Sequence, residues 1–93
     1  MFELRVLNGS QQGAALPLFG DQWCIGASAE ADLVLYDPAI AQRHVWVRRV
    51  DDRWSVQAEA GLMEDASGTL VAQIADLAGD LPFSISGIRL CVS

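Results

Sequence analysis

The chain has 93 residues, with 12 acidic and 6 basic side chains, and its formal net charge is −6. Its length favours one domain, which we place at residues 1–93. Hydrophobic residues make up 52% of the chain and charged residues only 19%, so the composition excludes a disordered, solvating chain. The acidic balance argues against nucleic acid as a partner, because phosphate backbones bind basic surfaces.

Apolar and polar side chains tend to alternate along the first half of the chain, which is typical of strands. At residues 2–6 apolar and charged side chains alternate, which predicts a strand with one buried face. The polar, glycine-containing stretch 8–13 predicts a turn, and short strands are expected at 15–18, 23–26 and 32–35. Pro17 places the second of these at a sheet edge, since proline donates no hydrogen bond to a neighbouring strand.

Residues 43–50 and 53–58 predict a hairpin that turns at Asp51 and Asp52. A two-residue connection pairs Val47 with Val56, which keeps the valines on one face. On the same pattern Trp54 belongs to the core. Asp-Asp lacks the glycine that such turns favour, which is the one feature against this interpretation.

The third quarter is ambiguous. Leu70, Ile74 and Leu77 have helical spacing, and Gly79 could end a helix. The surrounding strands and the turn-like Ser67-Gly68-Thr69 favour a strand and a loop instead. Residues 81–83 and 88–92 then predict a closing hairpin. Short strands separated by turns indicate an all-β sandwich of two antiparallel sheets with little helix.

Few residues in the sequence indicate a catalytic or ligand-binding site. Cys24 and Cys91 are the only cysteines and are expected to be buried thiols, and His44 is the only histidine. We therefore predict no metal site, no cofactor, no catalytic residue and no small-molecule substrate, and not an enzyme. Glu64 and Asp65 are adjacent, so in a strand they would point to opposite faces, and we expect a solvated turn there.

The N-terminal residues lack the basic run and apolar core of a secretory signal, and no stretch approaches the roughly 20 apolar residues of a membrane span. We therefore expect a domain that is cytoplasmic and not embedded in a membrane.

Residues 25–47 resemble a forkhead-associated (FHA) domain. The matching elements are Gly26, then Asp-Leu-Val-Leu-Tyr-Asp at 32–37, then Arg43-His44, with spacings that agree without gaps. Ser-Gly-Thr at 67–69 and Leu-Ala-Gly-Asp at 77–80 are similar to two later turns of that family. The resemblance covers nearly the whole chain, and it implies an eleven-stranded β-sandwich.

The departures from the family pattern bear on function. The family's arginine and serine that contact a phosphothreonine are here Ala27 and Ala41, the basic residue after that serine is Gln42, and the turn asparagine is Ser67. A dianionic phosphate needs charge-assisted donors that converge on it. We therefore interpret Ala27, Ala41, Gln42, Arg43 and Ser67 as a vestigial phosphopeptide site. Gly26, His44 and Gly68 are interpreted as structural positions.

A degenerate, acidic FHA domain of this kind resembles the cytoplasmic domain of the inner-membrane ring protein of type III secretion systems, the SctD/YscD family. The shared start is Leu-Arg-Val-Leu-Asn-Gly at 4–9 and Gly-Ala-Ala-Leu-Pro-Leu at 13–18. The resemblance implies a scaffold in protein transport and virulence that docks the cytoplasmic sorting platform. Its partners would be platform components and neighbouring ring subunits, and a single inner-membrane span would follow residue 93.

The outward face of the hairpin is the candidate partner surface. Alternation places Trp46, Arg48 and Arg53 on one side, and tryptophan and arginine are enriched at interface hot spots. Four of the six arginines lie at 43–53, either as a solvated hairpin balanced by Asp51 and Asp52 or as a basic patch. The alternative function is a phosphothreonine-binding FHA signalling module in which Arg43 replaces the lost arginine.

Overall fold

A computed structural model of the chain describes residues 2–93. The two sheets of the sandwich are built from ten strands: β1 (Glu3–Val6), β2 (Ala15–Pro17), β3 (Gln22–Gly26), β4 (Leu33–Val34), β5 (Val45–Val50), β6 (Arg53–Ala58), β7 (Met63–Glu64), β8 (Gln73–Leu77), β9 (Phe83–Ile85) and β10 (Ile88–Val92). The all-β prediction is confirmed, with ten strands in the described residues where the resemblance implied eleven.

Each sheet has five strands, in the orders β2-β1-β10-β9-β7 and β4-β3-β5-β6-β8. All strand pairs are antiparallel except β3 with β4. Pro17 lies on the edge strand β2, as predicted. Apolar side chains from both sheets meet between them, and Leu4, Ile25, Val45, Phe83 and Leu90 are completely buried there.

The β5–β6 hairpin has the predicted register, with Val47 opposite Val56 and Trp46 opposite Gln57. Asp51 and Asp52 have φ values of 50° and 62°. A two-residue turn of the type that matches strand twist needs positive φ at both positions, and aspartate tolerates this better than most residues. The missing glycine is therefore compatible with the hairpin.

Residues 73–77 form strand β8, so the strand interpretation of the third quarter is confirmed, and the residues with helical spacing do not form a helix.

One expectation about the turn at Glu64 and Asp65 is wrong. Glu64 belongs to strand β7 and pairs with Ser84 of β9, whereas we expected a solvated turn. Two residues of strand beside a turn-rich sequence are too short for a period-two pattern to reveal.

The loop at 8–13 closes one end of the sandwich through two side-chain amides. The Asn8 amide donates to the Gly87 carbonyl and accepts from the Arg89 backbone N–H. The Gln11 amide donates to the Val34 carbonyl (2.8 Å) and accepts from the Tyr36 N–H (2.7 Å). Each side-chain amide thus satisfies one backbone carbonyl and one backbone N–H that no neighbouring strand in the described part of the chain pairs with.

Candidate functional site

Two loops meet at the end of the sheet that contains β3 and β5. One follows β3 and begins with Ala27, and the other precedes β5 and contains Ala41 and Gln42. The Ala27 N–H donates to the Ala41 carbonyl at 2.9 Å, and the Ser28 N–H donates to the Gln42 carbonyl at 3.1 Å. Backbone hydrogen bonds therefore hold together the loops that carry the predicted vestigial positions.

Gly26 allows the close approach of these loops. A Cβ atom at this position would lie 2.1 Å from the Gln42 carbonyl oxygen and 3.0 Å from that of Ala41. Because both atoms belong to the backbone, neither can rotate away. Any side chain at residue 26 would separate the two loops.

His44 connects the loop before β5 to the loop after β6 through hydrogen bonds. Its side chain is buried, with 1% of the residue exposed. Nδ1 accepts a hydrogen bond from the Ala41 N–H at 3.0 Å, and Nε2 lies 2.8 Å from the Leu62 carbonyl oxygen. Since a backbone N–H can only donate, Nδ1 carries no proton, and Nε2 donates to Leu62. A Cβ atom at Gly61 would lie 2.1 Å from the imidazole ring, so the ring occupies the space that a side chain at residue 61 would need.

A cleft of about 450 Å³ opens beside these loops on the outer face of the sheet. It is lined by Cys24, Ser28, Glu30, Ala31, Asp32, Gln42, Arg43 and Trp46. Of the predicted vestigial positions, Gln42 and Arg43 line this cleft, while Ala27 and Ala41 lie in the loops next to it. No side chain of the cleft offers the converging set of cationic donors that a phosphate needs.

Glu59 fixes one wall of the cleft. Its Oε2 pairs with Nε of Arg43 at 3.2 Å, and its Oε1 accepts a hydrogen bond from the Trp46 indole N–H at 2.9 Å. Both carboxylate oxygens are therefore occupied, and the positive charge of Arg43 is balanced within the chain. The role of Glu59 was not predictable from the sequence, because no local pattern relates it to Trp46, 13 residues away.

Glu30 and Asp32 form an acidic wall of the same cleft. The Asp32 Oδ2 accepts a hydrogen bond from the Cys24 N–H at 2.7 Å, and Glu30 is exposed nearby. Burial raises the pKa of the Cys24 thiol, and the negative charges of Asp32 and Glu59 raise it further, although Arg43 acts in the opposite direction. The thiol is therefore held in its neutral form, because burial and the neighbouring carboxylates both disfavour a thiolate.

Both cysteines are buried and unbridged, as the sequence predicted. Among residues 2–93 no group of three or more histidine, cysteine, aspartate or glutamate side chains could hold a metal ion. No helix within the same residues is long and apolar enough to cross a membrane.

Ser67 lies apart from the cleft, in the turn between β7 and β8. The Asp65 Oδ1 accepts hydrogen bonds from the Ser67 N–H (3.0 Å), the Ser67 hydroxyl (2.6 Å) and the Thr69 N–H (3.1 Å). Gly68 has a φ of 84°, which the turn requires and glycine adopts without strain. The structure therefore does not bring Ser67 together with Gln42 and Arg43 in one cleft.

These hydrogen bonds lower the pKa of the Asp65 carboxyl below its ordinary value of 3.8, with the Ser67 hydroxyl as the largest cause. A lowered folded-state pKa gives stability that is present above the unfolded pKa and lost as the pH falls through the folded pKa. We expect NMR titration of the Asp65 carboxyl carbon to show this depressed pKa, and the Ser67→Ala variant to raise it toward 3.8. An unchanged pKa in that variant would contradict the assigned cause.

The outer face of the β5–β6 hairpin carries Trp46, Arg48 and Arg53. Trp46 is partly buried, whereas Arg48 and Arg53 are exposed. Arg48 donates a hydrogen bond to the Gln57 side chain at 3.3 Å on the neighbouring strand. The opposite face holds Val45, Val47, Trp54 and Val56, all buried, so the two faces are divided as the alternation predicted.

The arginines at 43–53 do not form one patch. Arg43 pairs with Glu59, and Arg49 pairs with Asp52 at 2.7 Å. The Arg49 guanidinium also lies 5.5 Å from the centre of the Trp54 ring and 5.6 Å from that of Phe2. Only Arg48 and Arg53 of this group project from the outer face of the hairpin.

Comparison with known proteins gives a family. The family model described as the inner-membrane component of the type III secretion system, cytoplasmic domain, matches residues 5–93. No curated protein sequence matches the chain.

Solved structures share the fold at low sequence identity. The cytoplasmic domain of PscD, a type III secretion sorting platform protein from P. aeruginosa, is 23% identical, with a TM-score of 0.81 over 99% of this chain and 78% of that one. The FHA domain of CT664 from Chlamydia trachomatis is 21% identical, with a TM-score of 0.85 over 98% and 94%. The FhaA FHA domain, solved with the intracellular domain of Rv3910, is 18% identical, with a TM-score of 0.84 over 100% of both chains. The two sheets are thus those of an FHA-like sandwich.

Proposed function

The chain belongs to the family of cytoplasmic domains of the type III secretion inner-membrane component, and on this premise we propose that residues 1–93 form a single, non-enzymatic docking domain. The domain links the membrane base to the cytoplasmic sorting platform and does not recognise phosphothreonine. Its partners are platform components and neighbouring ring subunits. In the whole protein, one inner-membrane span connects it to the base.

The main support for the proposal is that Arg43 is paired with an acidic residue of the same domain. It is the one cation among the residues that line the cleft, and Glu59 already pairs with it. Ala27 and Ala41 contribute only backbone contacts to each other. A phosphate beside Arg43 would meet the negative charges of Glu59, Glu30 and Asp32, so its binding is electrostatically unfavourable.

The known relatives support a role in assembly. PscD is described as a sorting platform protein, and the FhaA domain was solved bound to another protein. A sandwich of the same fold therefore binds another protein in at least one solved complex. We extend that role to this domain through its family membership.

We assign the docking surface to the outer face of the β5–β6 hairpin, defined by Trp46, Arg48 and Arg53. An indole beside two exposed guanidinium groups suits a partner surface that is partly apolar and partly acidic. None of the three side chains contributes to the core, which lies on the opposite face of the hairpin.

The absence of phosphothreonine recognition is tested by titrating the domain with a phosphothreonine peptide library, observed by NMR. We expect no saturable shifts at Gln42 or Arg43, and no difference between phosphorylated and unphosphorylated peptides. Arg43→Ala serves as the matched variant. Micromolar binding that is lost on dephosphorylation and in Arg43→Ala would establish the signalling alternative instead.

A further inference from the structure

We infer that the cleft beside Trp46 binds a cationic side chain, an arginine or lysine of a partner chain. The inference deepens the proposed docking function, and it relies on that function only for the source of the side chain. The charge, the aromatic wall and the buried floor of the cleft each contribute to it.

The charges of the cleft are unbalanced. Arg43 and Glu59 compensate each other at 3.2 Å. Glu30 and Asp32 also line the cleft or its rim, and neither lies within 4.0 Å of a basic group among residues 2–93. Two negative charges therefore remain on one wall, and a guest with a positive charge would balance part of them.

Trp46 forms an aromatic wall of the same cleft. Its indole N–H is held by the Glu59 carboxylate at 2.9 Å, which fixes the orientation of the ring. The face of an indole attracts a guanidinium or ammonium group, and tryptophan does so more strongly than other aromatic residues. An anchored indole in a cleft that is also lined by two carboxylates without a basic partner among residues 2–93 favours a cation and disfavours a phosphate.

The floor of the cleft contributes no compensating positive charge. Cys24 is 4% exposed, and its Sγ forms no hydrogen bond with any described residue. Burial and the neighbouring carboxylates raise the pKa of the thiol, so it stays protonated and neutral. The cleft therefore presents a buried, unpartnered thiol below an acidic wall, and its volume of about 450 Å³ lies within the roughly 300–1,000 Å³ range of ligand clefts.

The test uses a minimal cation and its neutral isostere. The domain is titrated with N-acetyl-arginine amide and, separately, with N-acetyl-citrulline amide, and the indole N–H signal of Trp46 is followed by NMR. A Trp46→Phe variant assigns this signal among the three tryptophans. We expect the arginine compound to shift it in a saturable and salt-sensitive manner, and the citrulline compound to leave it unchanged.

Variants then locate the site. Glu30→Gln combined with Asp32→Asn removes the acidic wall and retains an oxygen that can accept from the Cys24 N–H. We expect it to weaken arginine binding by about fivefold or more. Asp51→Asn combined with Asp76→Asn removes the same net charge from exposed positions outside the cleft and should have little effect. If the Asp32 change disturbs the fold, Glu30→Gln alone keeps the test valid.

Equal shifts with arginine and citrulline, or equal weakening by the two double variants, would overturn the inference. The outcome is also separable from that of the docking function. If the arginine compound binds but platform proteins are not captured, the cation site stands and the docking proposal fails. If capture succeeds while the arginine compound produces no shift, the docking proposal stands and the cation site is wrong.

Discussion

Replacing His44 with alanine should lower the free energy of unfolding by about 3 kcal/mol. The substitution removes a buried ring and leaves two backbone groups, the Ala41 N–H and the Leu62 carbonyl, without their partner. An unsatisfied buried polar group costs about 1–3 kcal/mol, and the vacated space adds to the loss. The loop before β5 and the loop after β6 should separate as a result.

Chemical denaturation measures this change, with Arg48→Ala as the exposed control, for which we expect a change below about 0.5 kcal/mol. Gly61→Ala tests the same contact from the other side and should also destabilise the domain, because its new Cβ would overlap the ring of His44. If both variants are as stable as the wild type, His44 does not hold these loops together, and a functional role for its imidazole would have to be considered.

Replacing Trp46 with alanine should reduce docking by about 30-fold, equivalent to about 2 kcal/mol, while leaving the fold intact. An aromatic anchor that becomes buried at an interface contributes far more than a charge at its rim. The indole is only partly buried in the domain and makes one hydrogen bond, to Glu59. Its loss should therefore affect the partner more than the core.

The measurement is capture of sorting platform proteins, or secretion by cells, with thermal melts as the folding control. Arg53→Ala is the matched variant and should have a much smaller effect, mainly on the rate of association. A fall in melting temperature of more than about 10 °C for Trp46→Ala would show that the indole supports the core. Wild-type docking by a stable Trp46→Ala domain would place the surface elsewhere, most directly on the loops at 27–31 and 38–42.

The positions of most strands along the chain and the division of the hairpin faces were predictable from the sequence because they depend on local alternation. Val47 and Val56 could share a face in only one register across a two-residue turn, and the structure has that register. Pro17 similarly identified an edge strand. Such features follow from neighbours in the chain and need no tertiary information.

The wall of the cleft was not predictable, because it depends on contacts between distant residues. Nothing local to Glu59 indicates that its carboxylate holds both Arg43 and Trp46. The same limit explains why the four arginines at 43–53 left both a balanced hairpin and a basic patch open, whereas in the structure Arg43 pairs with Glu59 and Arg49 with Asp52. The short strand β7 was missed because it pairs with β9, some 20 residues later in the chain.

Capture of platform components from bacterial lysate distinguishes docking without phosphothreonine from phosphate-dependent recognition. The immobilised domain is incubated with lysate of a bacterium that assembles the system, before and after treatment of the lysate with a protein phosphatase, and the captured platform components are quantified. We predict equal capture from the two lysates. Loss of capture after phosphatase treatment would contradict the claim and show that a phosphorylated residue is what the domain recognises.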